Sequence, residues 1–408
     1  MTNSKRRMVI TGMGVIAANG NNKEEFFQAM ADGKSGLAST KLLKDIGTKT
    51  SVAGQADMNV SDPEYPYDKE RTLVMACKVL DEMFEDSGLT REDISNLGMR
   101  AGITISTTLW GNIRIIKYVD EMQKKGSSSP DWLIDLPSFV SQSAKYAGVK
   151  GPACTTMSAC AAGTAGVGVA LDYIRNGRTD VMIILGSDPL TIFSAAGFHS
   201  LNTMSMNGCK PFDKDRDGMS LGEGAAAFMV ETLDRAIERK ARIYGEILGY
   251  GIGNDGYHMT SPDPEGVGAF KTMTMALKDA AICKDEIDYI NVHGTGTHLN
   301  DIMETNAISR IYDNESRRGE VLISSTKSMT GHCLGAAGSL ELAAIVMAVN
   351  RGIAPPTSNL ENPEDAFEGF NLVKGKGIKK DIGKAMSNSF AFAGNSASII
   401  VGKYEKEI

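Results

Sequence analysis

Apolar residues recur along this chain in two rhythms. Short, nearly continuous runs of apolar and branched side chains at residues 8–10, 181–185, 289–292, 321–323 and 398–401 predict buried strands. Between them, stretches at about 161–176, 268–282, 301–312 and 334–351 carry apolar residues at helical spacing and predict helices. Buried strands alternating with helices predict an α/β protein whose mainly parallel sheets are covered on both faces. The Gly-, Ser- and Pro-containing stretches at 126–130, 261–268 and 353–363 are short and read as surface loops rather than linkers.

A chain of 408 residues exceeds the usual size of a single core, so two domains or one duplicated architecture are expected. Two halves of comparable length meet near residues 240–250, and each contains a strand pattern toward its end, a hint of duplication. The division is drawn at 1–245 and 246–408.

Composition narrows the class. Hydrophobic residues at 42%, charged residues at 23% and 44 glycines describe an ordinary globular chain with many tight turns. Six cysteines show no CxxC or paired spacing, which argues against a disulfide framework or a structural zinc site and for a reducing, cytoplasmic setting. The apolar run after Lys5, Arg6 and Arg7 is too short for a signal-peptide core, and no apolar stretch reaches the roughly 18 residues of a membrane span. A net charge of −7 disfavours nonspecific nucleic-acid binding, so an acidic partner would need a local basic patch.

Three residues stand out chemically. Cys160 lies in Ser158-Ala159-Cys160-Ala161-Ala162-Gly163, between a strand-like 153–157 and a helix rich in small residues. Unpaired backbone N–H groups and the helix dipole at such a junction favour thiolate, so a lowered thiol pKa is expected; the bland alternative is a small buried hydrophobe. His293, in His293-Gly294-Thr295-Gly296-Thr297, follows the strand at 289–292, where open α/β sheets place ligands. His332 ends Lys327-Ser328-Met329-Thr330-Gly331-His332, again after a strand and before a helix. Only five histidines exist, and two on strand-end loops among glycines and threonines are unlike core histidines, although simple loop hydrogen bonding would also explain them. A metal site of His293, His298 and Asp301 is disfavoured by the absence of HExxH. The glycines at 12, 14 and 163–168 do not match a dinucleotide fingerprint.

Taken with Pro211-Phe212-Asp213-Lys214-Asp215-Arg216-Asp217-Gly218, Leu221-Gly222-Glu223-Gly224, Tyr257-His258-Met259-Thr260-Ser261-Pro262, Ser324-Ser325-Thr326-Lys327-Ser328, Pro355-Pro356-Thr357 and Asn388-Ser389-Phe390, these motifs run in register along nearly the whole chain. They resemble the elongating β-ketoacyl-acyl-carrier-protein synthases, most nearly the synthase II type and its type II polyketide relatives. The resemblance implies a thiolase-like fold, in which two duplicated α/β halves form a five-layer αβαβα sandwich, usually in a dimer. It implies decarboxylative Claisen condensation of malonyl carrier with a cysteine-bound acyl chain. It implies no cofactor and no metal, with substrates carried on the phosphopantetheine of acyl carrier protein.

Carried over by position, Cys160 resembles the nucleophile, and His293 with His332 the pair that binds the malonyl thioester carbonyl during loss of carbon dioxide. Lys327 and Glu341 match positions that organise the histidines; Lys327 should favour neutral imidazoles by like-charge repulsion. Asp301 and Glu304 match supporting positions. Backbone N–H groups of Cys160 and Phe390 match a second oxyanion hole, and Phe390 also matches the gate of the acyl pocket. Thr295 and Thr297 match the malonyl and pantetheine approach, and Phe392 follows the gate. Leu109, next to Trp110, falls near the position of chain-length control.

The chain departs from the resemblance after the gate, where Gly-Phe-Gly-Gly-Thr-Asn is replaced by Ala391-Phe392-Ala393-Gly394-Asn395-Ser396. A positive φ at either alanine would be strained; negative φ at both would merely stiffen the loop. Lys69 and Arg71, followed by Arg114, Lys117, Lys124 and Lys125, are expected to receive an acidic carrier. A thiolase would need a cysteine within 385–402, and none is there. An initiating synthase would have asparagine at His332. A non-catalytic chain-length-factor subunit would lack Cys160, though such a subunit could complete a heterodimer in place of a homodimer.

Overall fold

The computed structural model describes residues 6–57, 70–129, 138–313 and 319–405; Lys69 and the last residue of the 126–130 loop lie outside them. The expected helices are present as α3 (Ala162–Arg175), α5 (Val267–Ala280), α6 (His298–Ile311) and α7 (Ala337–Arg351). They are joined by α1 (Arg71–Ser87), α2 (Asn112–Lys125) and α4 (Ile192–Ser200).

Two sets of five strands carry the fold. The first comprises β1 (Met8–Ala17), β2 (Ala101–Ser106), β3 (Ala153–Thr156), β4 (Val181–Asp188) and β5 (Gly224–Thr232). Across the sheet they stand in the order β3-β2-β4-β5-β1, with β2 parallel to β3 and β4 and with β5 antiparallel to both its neighbours. The second set is β6 (Gly245–Asn254), β7 (Tyr289–Asn291), β8 (Leu322–Ser324), β9 (Lys384–Phe390) and β10 (Asn395–Gly402). It repeats the order and the directions as β8-β7-β9-β10-β6. Three residue pairs between Met8–Ile10 and Gly245–Ile247 join the sets.

The layers follow from which faces are apolar. Helix α1 packs on the first set, and α5 and α6 cover the second. Between the sets lie α3 and α7, which touch strands of both and share one apolar cluster with Ile10, Phe228, Tyr289 and Ile399. The result is the αβαβα sandwich expected from the resemblance. The run Leu334–Arg351 has a mean hydropathy of 1.2, enough for a membrane helix, but 89% of it is buried between the two strand sets.

Strand β1 is longer than the expected 8–10, and every residue in it is buried. Its glycines explain the Thr11-Gly12-Met13-Gly14 motif: a Cβ on Gly14 would stand 2.1 Å from the Val79 carbonyl oxygen, so glycine lets α1 lie directly on the strand. At the other border of the first set, β3 is an edge strand with Ala153 and Thr155 exposed. Nearby in sequence, α2 buries no side chain and exposes Ile115, Val119 and Met122 at helical spacing.

Candidate active site

Cys160 occupies a one-turn 3-10 helix, Ala159–Ala161, at the entrance to α3. Ala159 holds φ 49°, a left-handed conformation that strains a residue with a Cβ and sharpens the turn from strand to helix. The sulfur is in an apolar cluster with Leu109, Leu190, Met204 and Leu334. Burial dominates its electrostatics: it pushes the thiol up to about 12, although the Lys327 charge and the residue's own backbone N–H pull the other way. The expectation of a lowered thiol pKa is therefore corrected. The helix-start argument was local, whereas removal from water acts on the whole charge.

His293 is fixed through its backbone. The buried Glu304 accepts from His293 N at 2.9 Å and Gly294 N at 3.0 Å, and also from Asn388 Nδ2 at 3.2 Å. Burial raises the Glu304 carboxyl to about 7. Asp301 acts similarly one turn earlier on α6, accepting from Phe212 N at 3.1 Å and Gly296 N at 3.3 Å. His332 is held by donation of its N–H to Ser220 O at 2.8 Å and by Gly222 N donating to His332 O at 3.0 Å. The Leu221-Gly222-Glu223 motif thus positions a histidine more than a hundred residues away. The two imidazoles meet edge to face, with ring centroids 5.2 Å apart, and Phe390 stands 6.0 Å from His293.

Lys327 lies fully buried behind the pair. Its Nζ is 3.3 Å from His293 Nδ1, donates to His293 O at 2.7 Å, and pairs with Glu341. Burial first, and Lys327 second, hold both imidazoles well below their usual pKa, so they are neutral at physiological pH. Ser389 Oγ lies 3.5 Å from Glu341 Oε2 and 2.8 Å from Thr164 Oγ1, linking the pair to the helix that follows Cys160. Removing one partner of a buried pair leaves an uncompensated charge. Lys327→Met is therefore expected to cost about 3–5 kcal/mol of stability, and adding Glu341→Gln should recover much of it. Urea unfolding of the two variants checks this; a double variant no more stable than the single one would refute the pairing energetics.

Cys160, His293, His332, Thr295, Thr297, Phe390 and Phe392 line one cavity of about 390 Å³. Thr295 and Thr297 share a hydroxyl contact of 2.8 Å on its wall. Lys327, Glu341, Asp301 and Glu304 stand behind that wall. Leu109, expected near the position of chain-length control, is buried in the apolar cluster that also holds Cys160 and lies outside the cavity lining. Phe198, which no motif marked, stacks on Phe392 at 5.7 Å, and Arg216, from the 211–218 motif, contributes from beside Asp301 and His298. His298 Nδ1 is engaged by Arg216 Nη2 at 2.9 Å. The Thr260-Ser261-Pro262 motif also reaches the cavity.

The two alanines of the departing loop differ. Ala391 is extended at φ −141°, whereas Ala393 sits in the left-handed region at φ 59°. Hydrogen bonds hold the loop in place, among them Ala393 N to Met259 O at 2.8 Å and Asn254 Nδ2 to Ala393 O at 2.7 Å. One strained alanine is thus accommodated because its backbone groups are bonded on both sides.

Of the expected carrier-docking residues, Lys69 lies outside the described residues. Arg71 is corrected: its guanidinium donates to the fully buried Glu223 at 2.8 Å and to Ala56 O at 3.0 Å, so it ties α1 to the core rather than facing a partner. On α2, Arg114 lies 3.7 Å from Glu70, and Lys124 and Lys125 pair with Asp120 and Glu121 one turn earlier.

The pattern of the β-ketoacyl synthase N-terminal domain matches residues 5–236, and that of its C-terminal domain residues 244–361. A 3-oxoacyl-[acyl-carrier-protein] synthase 2 from Coxiella burnetii is 36% identical over 98% of this chain and 99% of that protein. Among solved structures, the ishigamide ketosynthase/chain length factor superposes with TM-score 0.90 at 32% identity, covering 98% of this chain and all of the other. A type II PKS acyl-carrier protein in complex with its ketosynthase bound to the hexaketide gives TM-score 0.89 at 29% identity, over 98% and 100% of the two chains.

Proposed function

This chain belongs to the β-ketoacyl synthase family, an elongating condensing enzyme of the acyltransferase class with the thiolase-like fold, and we propose how its own residues carry the reaction. Cys160 takes an acyl group from carrier pantetheine as a thioester. Malonyl carrier then binds with its thioester carbonyl against His293 and His332, whose neutral N–H groups stabilise the enolate left by departing carbon dioxide. That carbanion attacks the Cys160 thioester, and the tetrahedral oxyanion is received by the backbone N–H groups of Cys160 and Phe390. The 3-oxoacyl carrier leaves and the thiol is regenerated. The half at 1–245 supplies the nucleophile and the half at 246–408 the histidines.

One observation carries this reading: a buried thiol and two neutral imidazoles face one small cavity whose wall includes the gate candidate Phe390. Cys160 also weighs against a chain-length-factor role. No cofactor is required, because the decarboxylation itself supplies the carbanion, and we place the reaction in the cytoplasm. The pathway is fatty acid or type II polyketide synthesis. The exposed edge of β3 and the apolar face of α2 support a dimer, with a second copy or with a chain-length-factor-like subunit.

The test is incubation with malonyl carrier and a panel of acyl carriers, reading carbon dioxide release and 3-oxoacyl carrier by mass. Condensation by this chain alone supports the homodimer; condensation only with an added chain-length-factor subunit supports the heterodimer. No product with any acyl carrier in either arm would overturn the assignment.

A further inference from the structure

The topological repeat gives each element of the site a counterpart in the other half. Cys160 sits in the turn Ala159–Ala161 ahead of α3; the corresponding turn ahead of α7 is Leu334–Ala336, with Gly335 in the place of the cysteine. The backbone agrees, for Ala159 has φ 49° and Leu334 φ 50°, each directly before the matched position. His293 follows the second strand of its set, and in the other set Thr107, Thr108 and Leu109 follow the second strand. Phe390 ends β9, the fourth strand of the second set, and Asp188 ends β4, the fourth strand of the first.

The counterpart place is filled by the Asp188 carboxylate, which has no exposed surface. It accepts from the backbone N–H groups of Gly335 at 2.7 Å, Thr108 at 2.9 Å and Leu109 at 2.9 Å. The hydroxyls of Thr107 and Thr108 donate at 2.6 and 2.7 Å. Gly335 N–H therefore does for a carboxylate oxygen what Cys160 N–H is proposed to do for a substrate oxyanion. Gly335 has no room for a side chain, since a Cβ there would stand 2.7 Å from Asp188 Oδ2. Burial is the larger influence and leaves the Asp188 carboxyl raised, with these donors offsetting it in part; backbone N–H groups can only donate, so the hydrogen-bond geometry fits the ionised form.

We propose that Asp188 is a positioning residue: a built-in anion in the disused counterpart of the active site, holding the turn after His332 against the turn that carries Cys160. The two turns pack directly on each other, so the pocket that Asp188 fills braces both. Its negative charge also opposes ionisation of the Cys160 thiol. The effect on catalysis rests on the proposed condensation; the effect on the thiol does not.

The test uses Asp188→Ala and Asp188→Asn, with two readouts: malonyl-carrier decarboxylation, and the pH dependence of Cys160 alkylation by iodoacetamide. Asp188→Ala is expected to lose about 10- to 100-fold in decarboxylation, the scale of a small misplacement of reacting groups. Added formate, refilling the vacated anion pocket, should restore most of it. The alkylation midpoint should move to lower pH in both variants, and formate should reverse the shift only in Asp188→Ala. Folded Asp188→Ala with wild-type behaviour in both readouts, or with losses that formate leaves untouched, would overturn the proposal. Should Asp188→Ala not fold, Gly335→Ala crowds the same carboxylate while keeping its charge. Slower decarboxylation with an unmoved alkylation midpoint is then expected, and full activity would refute the role. If wild type decarboxylates nothing, the condensation reading fails, yet alkylation still decides the influence of Asp188.

Discussion

Cys160→Ala is expected to abolish condensation, with a loss of at least about 10⁴-fold, because no other group on the cavity wall can form the acyl thioester. Intact-mass measurement after exposure to acyl carrier should show the added acyl mass on wild type and none on the variant. The fold should tolerate the change, since a buried thiol is replaced by a slightly smaller apolar group. Decarboxylation of malonyl carrier should survive, because the histidines and Lys327 are untouched. Acylation persisting in Cys160→Ala would exclude this residue as the nucleophile. Loss of both loading and decarboxylation would show that the two halves of the reaction are not divided as the geometry suggests.

The converse pattern is expected of His293→Ala and His332→Ala. Each should still be acylated on Cys160 while malonyl decarboxylation falls about 10²- to 10³-fold, the range found when one donor to a developing oxyanion is removed. The pH profile carries the sign of the electrostatics. Burial and Lys327 depress both imidazole pKa values well below 6.5, so the neutral form persists as pH falls through that value and protonation is delayed to more acidic conditions. Decarboxylation by Cys160→Ala, which isolates the step and keeps both histidines, should therefore stay level between about pH 8 and 6. A step centred near 6.5 would mean that at least one imidazole titrates normally.

Residue types and loop positions singled out Cys160, His293 and His332 but left a buried thiol and loop-bonded histidines as open alternatives; the ordered motifs along the chain, through the family resemblance, supplied their expected roles. The strands were less legible. β5 reads as alanine-rich because helices press closely on a central strand, and β6 alternates with glycine for the same reason. β9, Lys384–Phe390, reads as polar, yet Ser387, Asn388 and Ser389 are fully buried; Asn388 and Ser389 serve Glu304 and Glu341. Such a strand escapes any hydrophobic pattern because the partners of Asn388 and Ser389 lie 84 and 48 residues away in sequence. Asp188 was invisible for a related reason, since its donors lie about 80 and 147 residues away in sequence. The thiol was misjudged in direction, because burial depends on what packs over Cys160 rather than on its neighbours in the chain.

The position of β10 sets a timetable for this protein's birth. Although last of the ten strands in sequence, it lies in the interior of the sheet, between β9 and β6. Until residues 395–402 pair, β6 keeps an open hydrogen-bonding border on that side, and β9, which ends in Phe390, has no antiparallel partner. Cys160, His293 and His332 thus all precede in sequence the strand that completes the sheet beside them. Until β10 slots in, that border stays unpaired, so a partly folded chain lacking β10 is the form most open to aggregation.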